Sequence, residues 1–282
     1  MDPRDVLSRP APPADQVLRY GPGPDQVADL WLPGRPGSSA GQDRPAGAPL
    51  VVFLHGGFWR VAYDRAHAGH LASGLAQAGY AVCVPEYRRT GQAGGGWPGT
   101  FDDIAAAVDA LPGIATAAAA GSADPAAVLL AGHSAGGHLA LWAAARSLLP
   151  AGAPWHSVAP PVSGVVALAA VSNLAACHEQ DLGRGAAALL MDGGPGRHPG
   201  RYALADPAVL VPPPAPVRLV HGELDEVVPC EMSLDYAARA VRAGGDAVCE
   251  VLPGYGHFEV IDPLSGAWPR VLAAFHSLSA PP

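Results

Sequence analysis

The feature that most constrains the fold is a serine placed between a predicted strand and a predicted helix. An apolar run rich in strand-forming residues ends at the motif Gly-His-Ser-Ala-Gly, residues 132–136, and an alanine- and leucine-rich helical run follows at once. Glycine on both sides of the serine suits a turn that is too tight for side chains. The pattern predicts that the Ser134 hydroxyl is exposed at the end of the strand and that the Ala135 amide lies at the positive end of the helix.

Short apolar runs alternate with longer helical runs from residue 50 onward. Strands are predicted near 27–32, 50–54, 80–85, 127–131, 163–169, 216–220 and 247–252. Helices are predicted near 65–78, 101–111, 134–148, 230–243 and 266–278. This alternation predicts a mostly parallel sheet with helices on both faces.

The length of 282 residues and the hydrophobic content of 49% suit one large α/β domain. We expect residues 16–282 to form that domain. Residues 1–15 are polar and rich in proline, and we expect them to form a flexible arm on its surface. Residues 172–210 interrupt the alternation with glycine-rich and charged stretches. We expect a small, partly helical cap there, with an ordinary irregular crossover as the alternative.

Three further motifs place polar side chains beside predicted strands. His-Gly-Gly-Phe-Trp occupies residues 55–59, and the acidic segment His-Gly-Glu-Leu-Asp-Glu-Val-Val-Pro occupies residues 221–229. Gly-Tyr-Gly-His-Phe at residues 254–258 then supplies a histidine in a glycine-flanked loop. A serine hydroxyl becomes a good nucleophile when a histidine removes its proton and a carboxylate orients that histidine. The chain therefore carries the three residue types needed for nucleophilic catalysis.

Together these motifs resemble the α/β-hydrolases, in the esterase and lipase group that carries a His-Gly-Gly-x-Trp loop. Within that group the chain is similar to kynurenine formamidase (arylformamidase) and to related carboxylesterases, over roughly residues 25–280. The resemblance implies the α/β-hydrolase fold. It also implies a catalytic triad and an oxyanion hole built from backbone amides. The implied triad is Ser134, Asp225 and His257, and the implied oxyanion hole is formed by Gly57, Phe58 and Ala135.

Two assignments have local competitors. Glu223 and Glu226 lie in the same acidic segment as Asp225, and the pattern His-Gly-x-x-Asp favours Asp225. Trp59 follows the oxyanion loop and Trp97 lies on a glycine-rich loop, so we expect both to contribute to substrate binding. The alternatives are a core role for Trp59 and, for Trp97, an anchor for the helix that follows.

Composition excludes several other classes of protein. All 17 basic residues are arginine, so lysine-dependent Schiff bases, pyridoxal phosphate sites and P-loops are excluded. The net charge of −8 argues against nucleic acid or an anionic membrane as a partner. We expect no cofactor and no metal. His67 and His70 lie three residues apart on a predicted helix, and a solvated helix face is the simpler interpretation than a metal site.

The expected activity follows from the triad. We expect a serine hydrolase that cleaves small carboxylic esters through an acyl-enzyme on Ser134. Its partner is a small-molecule ester or amide substrate, and the sequence carries no signal for the oligomeric state. The N-terminus lacks the apolar core of a secretory signal, and no apolar run is long enough to span a membrane. We therefore expect a cytoplasmic protein. An arylformamidase is the alternative, and a catalytically silent receptor or scaffold on the same fold is a third hypothesis.

Overall fold

The computed structural model describes residues 2–34, 47–119, 123–157 and 162–279. Within these residues, eight strands form one sheet in the order β1-β2-β4-β3-β5-β6-β7-β8. The strands are β1 (Gln16–Arg19), β2 (Val27–Trp31), β3 (Ala48–Leu54), β4 (Ala81–Pro85), β5 (Ala123–His133), β6 (Gly164–Leu168), β7 (Val217–Gly222) and β8 (Ala247–Leu252).

The sheet is antiparallel at one edge and parallel elsewhere. Strand β2 pairs antiparallel with β1 and with β4, whereas all pairs from β4 across to β8 are parallel. Every residue of β4 and β6 is buried. Continuous apolar runs suit strands that are covered on both faces, which explains why these segments do not alternate between polar and apolar residues.

Eight α-helices accompany the sheet within the described residues. They are α1 (Gly69–Gln77), α2 (Gly99–Ala118), α3 (Ala135–Ala144), α4 (Leu174–Glu179), α5 (Ala186–Met191), α6 (Pro199–Ala205), α7 (Glu231–Arg242) and α8 (Trp268–Ser279). One hydrophobic cluster joins the sheet to α2, α3 and α7, and a second joins it to α1 and α8. The prediction of helices on both faces of a mostly parallel sheet is therefore confirmed.

Element bounds differ from the predicted ones where a strand or helix extends past its apolar signal. Strand β8 has the predicted bounds, while β5 and α2 are longer than predicted. Strand β1 was not predicted, because it lies at the edge and buries only Leu18. The predicted helix at 65–78 begins with a separate 3-10 turn, Arg65–Ala68, before α1.

The N-terminal segment, for which we expected a flexible arm, packs on the domain. It contains a 3-10 turn, Pro3–Leu7, and Val6 in this turn is only 1% exposed. Arg9 forms a bidentate ion pair with Asp262, with N–O distances of 2.7 and 3.2 Å. Further along, the Leu32 amide donates a hydrogen bond of 2.8 Å to Asp15. We call residues 2–15 the N-terminal segment below.

The segment at 172–210 is partly helical, since it contains α4, α5 and α6. It packs along α3: His138 Nε2 donates to the Ala205 carbonyl at 2.9 Å near the start of the helix, and the Trp142 indole donates to the Leu204 carbonyl at 2.8 Å near its end. Gly183 lies against the ring of Phe58, because a Cβ there would be 2.7 Å from the ring atoms. We call residues 172–210 the helical insertion.

Candidate active site

The predicted sharp turn between strand and helix occurs at Ser134. Strand β5 ends one residue before it and α3 begins one residue after it. Ser134 has φ 55° and ψ −118°, a backbone conformation that non-glycine residues rarely adopt. A Cβ on Gly132 would be 2.2 Å from the Gly136 carbonyl, and one on Gly136 would be 1.9 Å from the Leu54 carbonyl. The flanking glycines are therefore required by the close approach of neighbouring backbone.

The structure brings the predicted acid and base into contact. His257 Nδ1 donates a hydrogen bond of 2.6 Å to Asp225 Oδ2. Asp225 follows β7 and His257 follows β8, so two neighbouring parallel strands position the pair. This contact fixes the neutral histidine as the Nδ1–H tautomer and leaves a lone pair on Nε2. Glu223, a competing candidate, is exposed to solvent.

A second histidine also binds the Asp225 carboxylate. His221 Nε2 donates to Asp225 Oδ2 at 3.0 Å, and the amides of Val227 and Val228 donate to Asp225 Oδ1 at 2.8 Å each. Burial alone would raise the pKa of the Asp225 carboxyl, but the hydrogen bonds from His221 and His257 hold it well below its usual range. Asp225 is therefore a carboxylate throughout the neutral pH range.

Ser134 and His257 line the same cavity, which has a volume of about 320 Å³. Ser134 is only 2% exposed, so its hydroxyl faces this cavity rather than open solvent. Across the described residues, no hydrogen bond joins Ser134 Oγ to His257. Such contacts are often long in the free enzyme and shorten when substrate binds.

The predicted oxyanion loop forms another wall of this cavity, with Gly57 and Phe58 in its lining. Gly57 has φ 106°, and a Cβ there would be 2.4 Å from the Tyr63 side chain. Phe58 has φ 50°. In the described part of the chain, the amide groups of Gly57, Phe58 and Ala135 donate no hydrogen bond to the protein. Ala135 is the residue directly after Ser134, at the first position of α3.

A buried hydrogen bond positions this loop. His55 is fully buried and its Nε2 donates to Glu86 Oε1 at 2.9 Å. The Tyr87 hydroxyl donates to the His55 carbonyl at 2.8 Å. Burial would raise the pKa of Glu86, but the hydrogen bond from His55 and the nearby Arg89 guanidinium outweigh it and lower that pKa. Sequence reasoning did not find this support, because Glu86 is 31 residues away from His55.

His133 is a second residue whose role was missed. It lines the cavity, and its Nε2 donates to the His257 carbonyl at 2.9 Å, so it connects the end of β5 to the loop that carries the predicted catalytic histidine. Burial and then the neighbouring His257 hold the pKa of His133 well below its usual range. A neutral ring at this position adds no charge beside His257, the predicted base.

The two tryptophans predicted to bind substrate do not line the cavity. Trp59 is fully buried, and its ring packs edge-on against His138 with centroids 5.1 Å apart. The Trp97 ring packs against Phe101 and Trp155. Large apolar rings gain most by leaving water, which accounts for both positions. Each tryptophan thus occupies the core or anchoring position that was the alternative for it.

His67 and His70, the two histidines considered as metal ligands, lie in different environments. His67 lines the same cavity as Ser134 and His257, and burial followed by the proximity of His55 lowers the pKa of His67 to about 4. His70 bonds to the Arg9 carbonyl at 2.9 Å, so it holds the N-terminal segment. In the described residues, no group of three or more His, Cys, Asp or Glu side chains is arranged to hold a metal ion. All four cysteines are free thiols.

One wall of the cavity comes from a part of the chain that sequence reasoning left outside the site. Arg4 and Leu7, in the first 3-10 turn, are among its lining residues. None of the lining residues comes from the helical insertion.

Within the described ranges, no helix combines the length and apolar content needed to cross a lipid bilayer.

Known structures with the same fold are esterases by name. A truncated carbohydrate esterase from gut microbiota superimposes with a TM-score of 0.74, at 22% identity, over 94% of this chain and 98% of that one. Esterase B from Lactobacillus Rhamnosis gives a TM-score of 0.75 at 21% identity, over 98% of this chain and 90% of that one. These likenesses confirm the predicted α/β-hydrolase fold.

Curated relatives extend beyond this chain. Isoprenylcysteine alpha-carbonyl methylesterase from Arabidopsis thaliana is 28% identical over 267 residues, which are 88% of this chain and 57% of the relative. Esterase LipQ from Mycobacterium tuberculosis is 29% identical over 241 residues, which are 82% of this chain and 53% of the relative. The chain thus spans little more than half the length of these relatives.

The family model with the description BD-FAE matches residues 39–239. The match includes the predicted oxyanion loop, the serine turn and the loop of Asp225, and it ends before His257, the predicted catalytic histidine. It covers more than two thirds of the chain, and therefore the chain belongs to the BD-FAE family, within the α/β-hydrolase esterase group.

Proposed function

We propose that this protein is a serine hydrolase that cleaves small carboxylic esters through an acyl-enzyme on Ser134. One observation carries the proposal: the Asp225–His257 pair and Ser134 meet at a single cavity. Beside them lie the amides of Gly57 and Phe58, which have no protein acceptor among the described residues. The esterase names of the relatives and structural neighbours support the reaction class.

The chemistry begins at His257. Its Nε2 lone pair takes the proton of Ser134 Oγ while that oxygen attacks the ester carbonyl carbon. The developing imidazolium is stabilised by the Asp225 carboxylate. His257 then gives the proton to the leaving alcohol, and an acyl group remains on Ser134. A water molecule, deprotonated by the same histidine, attacks the acyl-enzyme and releases the acid.

Backbone amides stabilise the charge that forms on the carbonyl oxygen. We assign this role to Gly57, Phe58 and Ala135, whose amides border the serine from two sides. A donor of this kind contributes about 3–4 kcal/mol to the transition state. The positive end of α3 adds to the same field. The left-handed backbone at Gly57 and Phe58 and the tight Ser134 turn keep these amides free for substrate.

The cavity limits the size of the substrate. Its volume of about 320 Å³ lies at the lower end of the range for small-molecule sites. We therefore infer that short acyl esters are preferred, and that p-nitrophenyl acetate and butyrate are cleaved much faster than the palmitate. The proposal keeps a small-molecule ester as the partner, and the cytoplasm as a location inferred from sequence alone.

A fluorophosphonate probe tests the proposal directly, since it reacts with an activated serine. The wild-type protein is expected to be labelled, and Ser134→Ala is expected to fold, as judged by circular dichroism, but to resist labelling. Its turnover of p-nitrophenyl butyrate should fall by about a million-fold, the size measured for loss of a triad serine. Labelling of Ser134→Ala at the wild-type rate would overturn the proposal.

The same assays separate the alternative functions. A rate on N-formylkynurenine far above that on every ester would establish the arylformamidase instead. An unreactive wild-type protein with an intact fold would indicate the silent receptor or scaffold.

A further inference from the structure

The catalytic cavity has one wall that does not belong to the sheet or its loops. Arg4 and Leu7 line it, and both lie in the 3-10 turn Pro3–Leu7 at the start of the chain. The remaining lining residues lie at the end of β5, follow β3, β5, β7 or β8, or lie near the start of α1. The turn therefore adds a rim to a site whose reacting groups come from the strand ends.

The permanent charge on the residues that line the cavity is positive. Among the described residues that line the cavity, Arg4 carries the only permanent charge, and no carboxylate lines it. His67 is neutral near pH 7, because burial lowers its pKa to about 4. Within the described residues, the Arg4 guanidinium makes no ion pair and no hydrogen bond. Its acidic neighbours are Asp2, which accepts the Arg4 backbone amide at 2.9 Å, and Asp5.

The turn is held in place from both sides. Val6 is 1% exposed and belongs to the second hydrophobic cluster. Arg9 then pairs with Asp262, whose side chain is 9% exposed. Ala11 fits against Gly69, where a Cβ would be 2.8 Å from the Ala11 Cβ. These contacts hold the backbone of the turn in place, and the exposed Arg4 side chain lines the cavity from this fixed position.

We infer that Arg4 binds an anionic group, of which a carboxylate is the simplest, on the substrate at a distance from the reacting carbonyl. This inference rests on the proposed function and narrows the substrate class to esters that carry a free acid. Arginine presents paired N–H donors that match the two oxygens of a carboxylate. The anion of such a substrate would find no negative charge among the residues that line the cavity.

Matched ester pairs test this charge preference. On the acyl side, the mono-4-nitrophenyl ester of adipic acid is compared with 4-nitrophenyl hexanoate. On the alcohol side, 4-butyryloxybenzoate is compared with 4-butyryloxybenzamide. Each pair differs in charge and little in size. The measured quantity is the ratio of kcat/KM for the anionic ester to that for the neutral ester.

In Arg4→Gln the ratio should fall about fivefold for at least one pair, mainly through KM, the size expected of an exposed charge–charge contact. Arg4→Lys should retain most of the ratio, and 0.5 M NaCl should shrink the effect. The control, Arg242→Gln, removes one positive charge at the exposed end of α7 and should leave the ratio and the activity unchanged. An unchanged ratio in Arg4→Gln for both pairs overturns the inference.

Failure of the proposed function would look different, because the wild type would then cleave none of the four esters. A binding measurement tests the role of Arg4 without any turnover of substrate. Isothermal titration of Ser134→Ala with adipate and with 4-hydroxybenzoate should give a Kd that rises about fivefold when Arg4→Gln is added. Equal binding in both proteins, or no binding to either, contradicts the role of Arg4.

Discussion

Two segments outside the central sheet pack beside the elements that carry Ser134: the N-terminal segment and the helical insertion. The insertion is the larger, contains α4, α5 and α6, and buries whole side chains such as Leu190 and Met191. The N-terminal segment buries Val6 and relies on the Arg9–Asp262 ion pair. Yet the cavity is lined by Arg4 and Leu7 from the smaller segment, and by no residue of the insertion.

The difference teaches that size and proximity do not decide which segment forms the substrate site. The insertion contacts α3 along its length and also the predicted oxyanion loop, where the Arg60 guanidinium donates to the Arg184 carbonyl at 3.0 Å. It therefore supports α3 and this loop from outside the cavity. The N-terminal segment, with few anchors, reaches the open side of Ser134. Changes in the two segments should consequently affect different quantities.

The largest expected effect comes from the proposed triad itself, and the effects of changes in the two segments are compared with it. Asp225→Asn removes the carboxylate that orients His257, and kcat should fall about ten-thousand-fold, as in other triads. Glu223→Gln is the matched control, because Glu223 is exposed and lies two residues away in the same loop. Steady-state rates on p-nitrophenyl butyrate measure both. If the Glu223 variant were the more damaged, the acid would be wrongly assigned.

Truncating one anchor in each segment sharpens the contrast. Leu190→Ala in the insertion should lower the free energy of unfolding by about 2–4 kcal/mol, because a fully buried leucine leaves a cavity. Val6→Ala in the N-terminal segment should cost about 1–2 kcal/mol, since it removes fewer buried atoms. Urea denaturation measures both.

The kinetic effects of these two variants should have the opposite order. Val6→Ala loosens the turn that carries Arg4 and Leu7, so KM for a cleaved ester should rise several-fold more than in Leu190→Ala. Equal KM changes in the two variants would contradict a special role for the N-terminal segment.

The smallest expected effect concerns the ion pair at the base of the N-terminal segment. Burial would raise the pKa of Asp262, but the hydrogen bond from Arg9 outweighs it and the pKa is lowered. A lowered carboxyl pKa adds stability above the pKa of the unfolded chain and loses it as pH falls through the folded value. Asp262→Asn should therefore cost up to about 1 kcal/mol at pH 7 and progressively less in acid.

Unfolding free energies at pH 7 and at pH 3 measure this difference, with Asp246→Asn as a control for a more exposed carboxylate whose pKa is lowered by Arg218. A penalty for Asp262→Asn that does not shrink in acid would show that the ion pair is not its origin.

The central sheet could be predicted from the sequence because buried parallel strands have continuous apolar sequences. The triad was predicted because Ser134, Asp225 and His257 each lie in a short motif directly after such a run. The serine turn is local, so two glycines sufficed to indicate its geometry. Asp225 and His257 lie close together because each follows one of two paired parallel strands, β7 and β8.

The rest depends on contacts that leave no local pattern. Residues 1–15 have the composition of a free arm, but in residues 2–15 contacts such as the burial of Val6 and the Arg9–Asp262 ion pair hold the segment on the domain. The support of His55 by Glu86 joins two strands that are adjacent in the sheet, and only the fold reveals it. Trp59 follows a functional loop in sequence, but its large ring is directed into the core.

The shared oxygen of Asp225 has a spectroscopic consequence. His257 and His221 each direct a ring N–H at Oδ2, and His221 Nδ1 accepts in turn from the Ser233 hydroxyl at 2.7 Å. Both ring protons are shielded from bulk water and should exchange slowly enough to give two separate downfield resonances in a proton NMR spectrum. The His257 signal should shift when Ser134 is acylated, because His257 lines the same cavity as Ser134. His221 does not line that cavity, so its signal should shift much less and would serve as an internal reference. The acid loop thus carries a native reporter of the catalytic cycle that needs no added label.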